Sequence, residues 1–287
     1  MSATAGPIMV DRWRFFVGLV LWVGLALACP STGRAQRFAP TEPAEEDEEH
    51  DEIETDRDSF TFATSTVGTK KTVLEQSYSF IDNRAGPDSN SFPELLARRG
   101  VADWVELRVG WNYEAGGANT VSGNEVGAED LQPETEGRML YGAKFLTSKQ
   151  SRWRPASSLI VQGYTPTAGP SNASTMDVGE AVGWTFANGW TWNSSLRYAT
   201  GEEKGDHFSQ WAPSTVLKIP VGERWNFHAE YFGIVSYGKQ APLNQHYGSF
   251  GGHVLLNPNL ELGVRFGFGL NEQTPRFFNN VGVAFRF

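Results

Sequence analysis

Leu260-Glu261-Leu262-Gly263-Val264-Arg265-Phe266-Gly267-Phe268-Gly269-Leu270 alternates without a slip: every even position is apolar and every odd one is charged or glycine. After Asn271 to Arg276 the pattern resumes, with Val281, Val283, Phe285 and Phe287 set against Asn280, Gly282, Ala284 and Arg286. A period of two marks a strand, because successive Cβ atoms point to opposite faces. One greasy face and one polar face suit a soluble sandwich as well as a membrane barrel. Length favours the membrane: each segment runs about ten residues, and a tilted membrane-spanning strand needs about 9–11.

Composition points the same way. The chain has 287 residues, with Gly 31, Trp 10 and Phe 19, and a mean hydropathy of -0.37. Richness in aromatics and glycine without overall hydrophobicity is the balance of a barrel whose lumen side is polar. Cys29 is the single cysteine, which excludes an intrachain disulfide and a cysteine-based zinc site. The formal charge of -9 is local, because 11 acidic residues and one arginine lie between Glu42 and Asp58. The rest is nearly neutral, so no nucleic-acid footprint is present and no nucleic-acid partner is expected.

Arg12 and Arg14 precede an apolar run from Phe15 to Ala28, which stops at Cys29-Pro30. Those 14 residues are short of the roughly 20 that a spanning helix needs. They suit the core of a secretory signal, and Gly33-Arg34-Ala35 offers small residues for cleavage before Gln36. An uncleaved anchor and lipidation at Cys29 are the alternatives; Ala26 stands where a lipoprotein signal usually has leucine. Residues 36–58 are rich in Pro, Glu and Asp with little that is apolar, so a disordered acidic tail is expected there. His50 within that run is a weak candidate for a divalent cation.

Alternation and turn residues predict strands at about 72–82, 91–99, 104–113, 136–147, 155–165, 175–187, 190–200, 209–219, 224–236, 247–256, 259–270 and 277–287. A thirteenth extended piece begins at Ser59. Single-chain bacterial barrels have even strand numbers, so residues 59–71 are assigned to a segment in or under the barrel and residues 72–287 to the barrel. The connections at 100–103, 148–154, 187–189, 220–223 and 257–258 are short, and those at 83–90, 114–135, 166–174, 201–208, 237–246 and 271–276 are generally longer. Short periplasmic turns alternating with long outside loops are the asymmetry of outer-membrane barrels. Trp104, Trp153, Trp190 and Trp225 lie by the short turns, while Trp111, Tyr113, Tyr164, Tyr198, Trp211 and Tyr247 lie toward the long loops. Two aromatic bands, one at each headgroup level, are therefore expected.

Several stretches also carry a family resemblance. They are Glu54-Thr55-Asp56-Arg57-Asp58-Ser59-Phe60-Thr61, Phe92-Pro93-Glu94-Leu95-Leu96-Ala97-Arg98-Arg99-Gly100-Val101 and Val105-Glu106-Leu107-Arg108-Val109-Gly110-Trp111. The chain from about residue 54 to 287 resembles the proteins grouped under the MetA pathway of phenol degradation. The resemblance implies an outer-membrane barrel that passes aromatic or other hydrophobic compounds.

With the apolar face toward lipid, the lumen receives Glu75, Glu94, Arg98, Glu106, Arg108, Arg138, Lys144, Arg197, Lys218, His228, Glu230, His253, Glu261, Arg265 and Arg286. Mixed charge there suits a polar passage that filters a solute. It equally suits ion pairs that fill a narrow barrel, with Glu261, Arg265 and Arg286 satisfying one another. Gly263, Gly267 and Gly269 alternate along a strand with no helix after them, so they are no phosphate loop; they leave room for the N-terminal segment or relieve curvature. His207 and Ser209 share a strand face, which raises a phospholipase-type site, although Gln210 follows in place of that family's Ser-Asn-Gly context. His228 and His253 lack ligand spacing, so no metal site is predicted, and no cofactor is implied.

The expectation is a transmembrane antiparallel up-and-down β-barrel of about twelve strands in the outer membrane, exported by a cleaved signal and not an enzyme. It would pass a small molecule, hydrophobic or aromatic among the candidates. Residues 59–71 would form a constriction and the loop Glu114 to Thr135 a lid. A closed barrel that binds a partner through that loop or the acidic tail is the alternative, and a lipid-hydrolysing barrel is a third. Outer-membrane lipid and the barrel assembly machinery are the expected partners, the latter recognising Phe287.

Overall fold

A computed structural model describes residues 53–84, 86–116, 134–169, 174–203, 206–238 and 242–287. The expected signal sequence, the acidic run up to residue 52 and the middle of the expected lid, residues 117–133, lie outside the described residues. Twelve strands follow one another: β1 Thr72–Asp82, β2 Ser89–Ala102, β3 Val105–Gly116, β4 Glu134–Ser148, β5 Ala156–Ala168, β6 Thr175–Thr185, β7 Thr191–Glu203, β8 Asp206–Val221, β9 Trp225–Tyr237, β10 Asn244–Asn257, β11 Leu260–Gly269 and β12 Phe277–Arg286. Each pairs antiparallel with its sequence neighbours, and β1 closes the barrel on β12 from Val73↔Arg286 to Asp82↔Phe277. The count and the up-and-down order are those the alternation predicts.

Alternation becomes facing. In β11, Glu261, Gly263, Arg265 and Gly267 are buried while Leu262, Val264 and Phe268 are exposed. Outward apolar side chains recur round the barrel, among them Leu74, Leu107, Val109, Leu196, Phe250, Val281 and Phe285. An apolar surface that encircles the molecule needs lipid, not water, against it. Trp104, Trp153, Trp190 and Trp225 are exposed at the short-turn end. Trp111 stacks on Tyr113 at 5.9 Å and Tyr198 packs on Trp211 at 4.7 Å toward the other end.

Tyr164 and Tyr247 do not join that outer band. Both are fully buried on the lumen side, because strand parity sets facing regardless of which end of a strand a residue occupies. A second departure is the connection expected at 201–208. The β7–β8 ladder continues through Gly201↔Phe208 and Glu202↔His207 to Glu203↔Asp206, which leaves two residues between the strands. A third is irregularity near Pro93: the β2–β3 register shifts between Ser91 and Glu94, and the β1–β2 register between Ser77 and Ser79. A proline has no N–H to give the ladder, so the pairing steps round it.

The chain before β1 enters the barrel and comes back. Ile53 N–H donates to the carbonyl of Pro258 at 3.0 Å, in the turn between β10 and β11. Phe60 is buried against β9, and Phe62 packs with Ile160 and Ala181 on β5 and β6. Thr66 Oγ1 then donates to the carbonyl of Asp103 at 2.7 Å, and Lys70 N–H to that of Gly100 at 3.0 Å, at the turn between β2 and β3. Both ends of the segment therefore lie at the short-turn end. Asp103, exposed in that turn, has its carboxyl held below the usual carboxylate range by hydrogen bonds from the Thr69 hydroxyl and N–H.

The boundary drawn at Asp58 between tail and barrel segment moves to Ile53. Ile53 and residues 55–58 are buried inside the barrel. The disorder rule counts apolar surface. These residues are ordered instead by charged and hydrogen-bonding partners on the wall.

Candidate functional site: the lumen and its inserted segment

Fourteen of the fifteen charged residues and histidines assigned to the lumen face are buried, and His253 is half-buried. The wall that they form holds the inserted segment at three levels.

At the first level the segment presents Asp56 to three cations. Arg108 Nη1 lies 2.5 Å and Lys144 Nζ 3.1 Å from Asp56 Oδ2, with Arg98 Nε at 3.6 Å. Arg98 also bridges Glu75 at 3.0 Å and Glu106 at 3.0 Å, and donates to the carbonyl of Glu54 at 2.8 Å. Glu75 in turn accepts the N–H groups of Asp56 and Arg57, at 3.2 and 3.0 Å to Oε2. Lys144 sits over the Phe62 ring, 5.6 Å from its centre. Ions this deep are tolerable because each has several charge-assisted partners.

The second level surrounds Arg57 and Asp58. Arg57 Nη2 donates to Glu261 at 3.3 Å, and Thr55 Oγ1 donates to the same carboxylate at 2.9 Å. The guanidinium lies in a notch left by two paired glycines. A Cβ on Gly263 would come within 3.1 Å of Arg57 Nη2, and one on Gly282 within 3.0 Å of Nη1. The expected space for the N-terminal segment is thus present at Gly263, whereas Gly267 makes room for the Phe278 ring on its own wall. Asp58 accepts from Lys218 Nζ at 2.9 Å. His253 Nδ1 is 3.3 Å from Asp58 Oδ2. His228 completes a cluster with these two: one ligand atom from each of Asp58, His228 and His253 lies within 4.8 Å of the others. The sequence gives no ligand spacing for that set, because register assembles it. His228 pairs with Gly251, and His253 stands two residues further along β10 on the same face.

At the third level Glu230 takes the N–H groups of Phe60 at 3.1 Å and Thr61 at 2.7 Å, the Thr61 hydroxyl at 2.8 Å, and Arg265 Nη1 at 3.3 Å. Phe60 stacks on Phe232 with ring centres 4.3 Å apart and planes 8° from parallel. Phe232 stacks in turn on Tyr247 at 4.5 Å, and Phe278 closes the group edge-on to Tyr247 at 5.9 Å. The Arg265 guanidinium lies 5.1 Å from the centre of the Phe278 ring.

Other expected lumen residues are held within the wall. Arg197 pairs with Asp177 and donates to the Tyr164 hydroxyl at 3.2 Å, Arg138 pairs with Glu136, and Glu94 accepts from Ser77 at 2.5 Å and Asn280 at 3.0 Å. On the ion-pair reading of the lumen, Glu261, Arg265 and Arg286 could satisfy one another. Glu261 instead takes Arg57, Arg265 takes Glu230, and Arg286 Nε donates to Asn259 Oδ1 at 2.8 Å. The inserted segment supplies the partner of Glu261, while Arg265 and Arg286 find theirs on the barrel itself.

His207 is exposed and Ser209 half-buried on the outward face of β8, with no hydrogen bond between them, while Gln210 points inward. Sequence reasoning missed Asp56, Arg57, Asp58 and Asp177, and the inward aromatics Phe232, Tyr247 and Phe278. Adjacent aromatics at Tyr231-Phe232 and Phe277-Phe278 are the available signal, since one of each pair must face the lumen.

The same architecture recurs at low sequence identity. An outer membrane channel from Pseudomonas putida F1 superposes with a TM-score of 0.59 at 10% identity, over 78% of this chain and 98% of that one. The translocator domain of the autotransporter NalP from Neisseria meningitidis gives 0.50 at 12% identity, over 77% and 89%. These likenesses establish the fold of an outer-membrane barrel. No curated protein matches the sequence. Residues 55–287, from the inserted segment through the closing strand, match the family described as "Putative MetA-pathway of phenol degradation", and the chain belongs to that family.

Proposed function

We propose that the barrel is a gated passive channel for small aromatic molecules, closed in this structure by residues 53–67. The observation that carries this reading is the seat of Phe60. An aromatic side chain from a removable segment lies flat on Phe232, with Tyr247, Phe278 and the Arg265 guanidinium around it. When the segment withdraws, that seat becomes a slot of aromatic faces and one cation inside a polar lumen, which suits a small aromatic solute bearing a hydroxyl or carboxylate. The fifteen wall residues then line and filter the path.

Deletion of residues 53–67 tests the gate. In planar bilayers or liposome swelling, the deletion barrel conducts or admits solute well above the intact protein, and passage of small aromatic solutes competes with ion flow. A deletion barrel that folds and remains impermeable removes the channel reading. It would leave the closed interaction barrel, which the saturated ion pairing of Asp56 favours. Phe287 carries the assembly role: its backbone extends the β1 seam through Thr72 N–H to its carbonyl at 2.8 Å, and its ring is exposed beside Phe285. Deleting Phe287 lowers the yield of assembled barrel in the outer membrane without altering conduction by the barrels that form. Normal insertion of the truncated chain would refute that role.

A further inference from the structure

We infer that Asp58, His228 and His253 form a divalent-cation site, which binds a zinc-class ion that fastens the inserted segment to the wall. The three ligands come from three elements: the segment, β9 and β10. His228 is buried, and neither Nδ1 nor Nε2 has a hydrogen-bond partner. A buried imidazole with both nitrogens unused is costly unless something binds it. One edge of the site is already at coordination distance. Two ligands at bond lengths of about 2.0–2.2 Å and a tetrahedral angle stand roughly 3.3 Å apart, and His253 Nδ1 is 3.3 Å from Asp58 Oδ2. His228 completes the set within a spread of at most 4.8 Å.

The donor set selects the ion. Two imidazoles and one carboxylate, with a fourth position left to water, suit zinc and its neighbours; calcium and magnesium prefer an all-oxygen shell. Lys218 is the competitor. Its ammonium now neutralises Asp58 at 2.9 Å, and a bound cation must either displace it or share the carboxylate with it. Glu261, whose Oε2 lies 3.7 Å from His253 Nε2, offsets part of the added charge. A metal held here ties Asp58 to both strands, so withdrawal of the segment requires the ion to leave first. The gating consequence rests on the proposed channel reading, but binding itself does not.

The test uses the folded full-length barrel in detergent without a histidine tag, and zinc as the probe in calorimetry or competition with a chromophoric chelator. One ion binds per barrel. His228→Ala and His253→Ala each weaken it at least about tenfold, the loss that disturbing even an outer-shell group can produce. Lys218→Met tightens it, the opposite sign from every ligand change. His50→Ala leaves the affinity unchanged, which separates the site from the acidic stretch, and His228→Gln repeats the loss with little change in volume. Zinc also raises the protease resistance of residues 53–67 in the wild type and not in the histidine variants. No saturable binding, binding indifferent to both histidine changes, or equal competition by calcium overturns the inference. If the intact and deletion barrels fail to conduct while zinc binds as described, the channel reading falls and the site stands.

Discussion

Asp56→Ala releases the inserted segment while the twelve-strand ladder stays intact. The substitution leaves Arg98, Arg108 and Lys144 facing Glu75 and Glu106 alone, in a site where all five side chains are buried. Removing one partner from a buried ion network costs about 3–5 kcal/mol, most of it the penalty of the uncompensated charge. The molecule has two ways to absorb that penalty. Opening the twelve-strand ladder would sacrifice every backbone bond in the wall, whereas withdrawing residues 53–67 admits water to the three cations. Withdrawal is the smaller change. The expected readouts are protease cleavage within 53–67, a rise in conductance toward that of the deletion barrel, and unchanged heat-modifiable mobility of the barrel. Asp56→Asn keeps an oxygen for the Ala63 N–H, now 2.9 Å from Oδ1, and lies between the two. Adding Lys144→Met to Asp56→Ala restores part of the protection, because it removes one stranded cation. Full protection of the segment in Asp56→Ala would show that the network does not hold it.

Phe60→Ala has an effect of similar size by a different route. The ring is 1% exposed, and truncating a buried phenylalanine costs about 3–5 kcal/mol, of which the stacked pair with Phe232 supplies about 0.5–1.5 kcal/mol. Glu230 grips the segment through the N–H groups of Phe60 and Thr61, and the substitution leaves both in place. The segment therefore stays inserted above an empty aromatic slot. Thermal stability of the segment, followed by proteolysis, falls, and phenol used as a probe restores it by occupying the vacated face. Phe60→Leu, which fills volume without a flat ring, recovers part of the stability and binds no phenol. If phenol binds neither Phe60→Ala nor the deletion barrel, the slot has no affinity for aromatic solutes and the substrate class in the proposed function is wrong.

The wall was legible because its signal is local and repeated. Each strand states its own facing in a two-residue period, and Leu260 to Phe287 does so almost without exception. The lumen was half legible. Parity gives Arg98, Glu106 and Arg108 their direction, but it cannot say that Arg98 joins Glu75 and Glu106 to Asp56, because those contacts join elements far apart in the chain. The acidic stretch misled for a related reason. Composition treats Thr55-Asp56-Arg57-Asp58 as solvated, and only a wall bearing Lys144, Lys218 and Glu261 at the right heights makes it an interior segment. Tyr164 and Tyr247 show the other limit: sorting aromatics by strand end finds the headgroup bands but is blind to which face a ring occupies. The Asp58, His228 and His253 cluster has no linear spacing at all, since register between β9 and β10 creates it.

The segment enters beside Pro258 and leaves beside Asp103, so what fills the barrel is a bight of chain, not an end. A bight can be drawn out the way it came, like a loop of rope from a ring, without any terminus passing through and without parting the seam between β1 and β12. On the proposed gating reading, opening and closing are then topologically free moves. The work of such a cycle would be set by the ions and rings that the bight leaves behind.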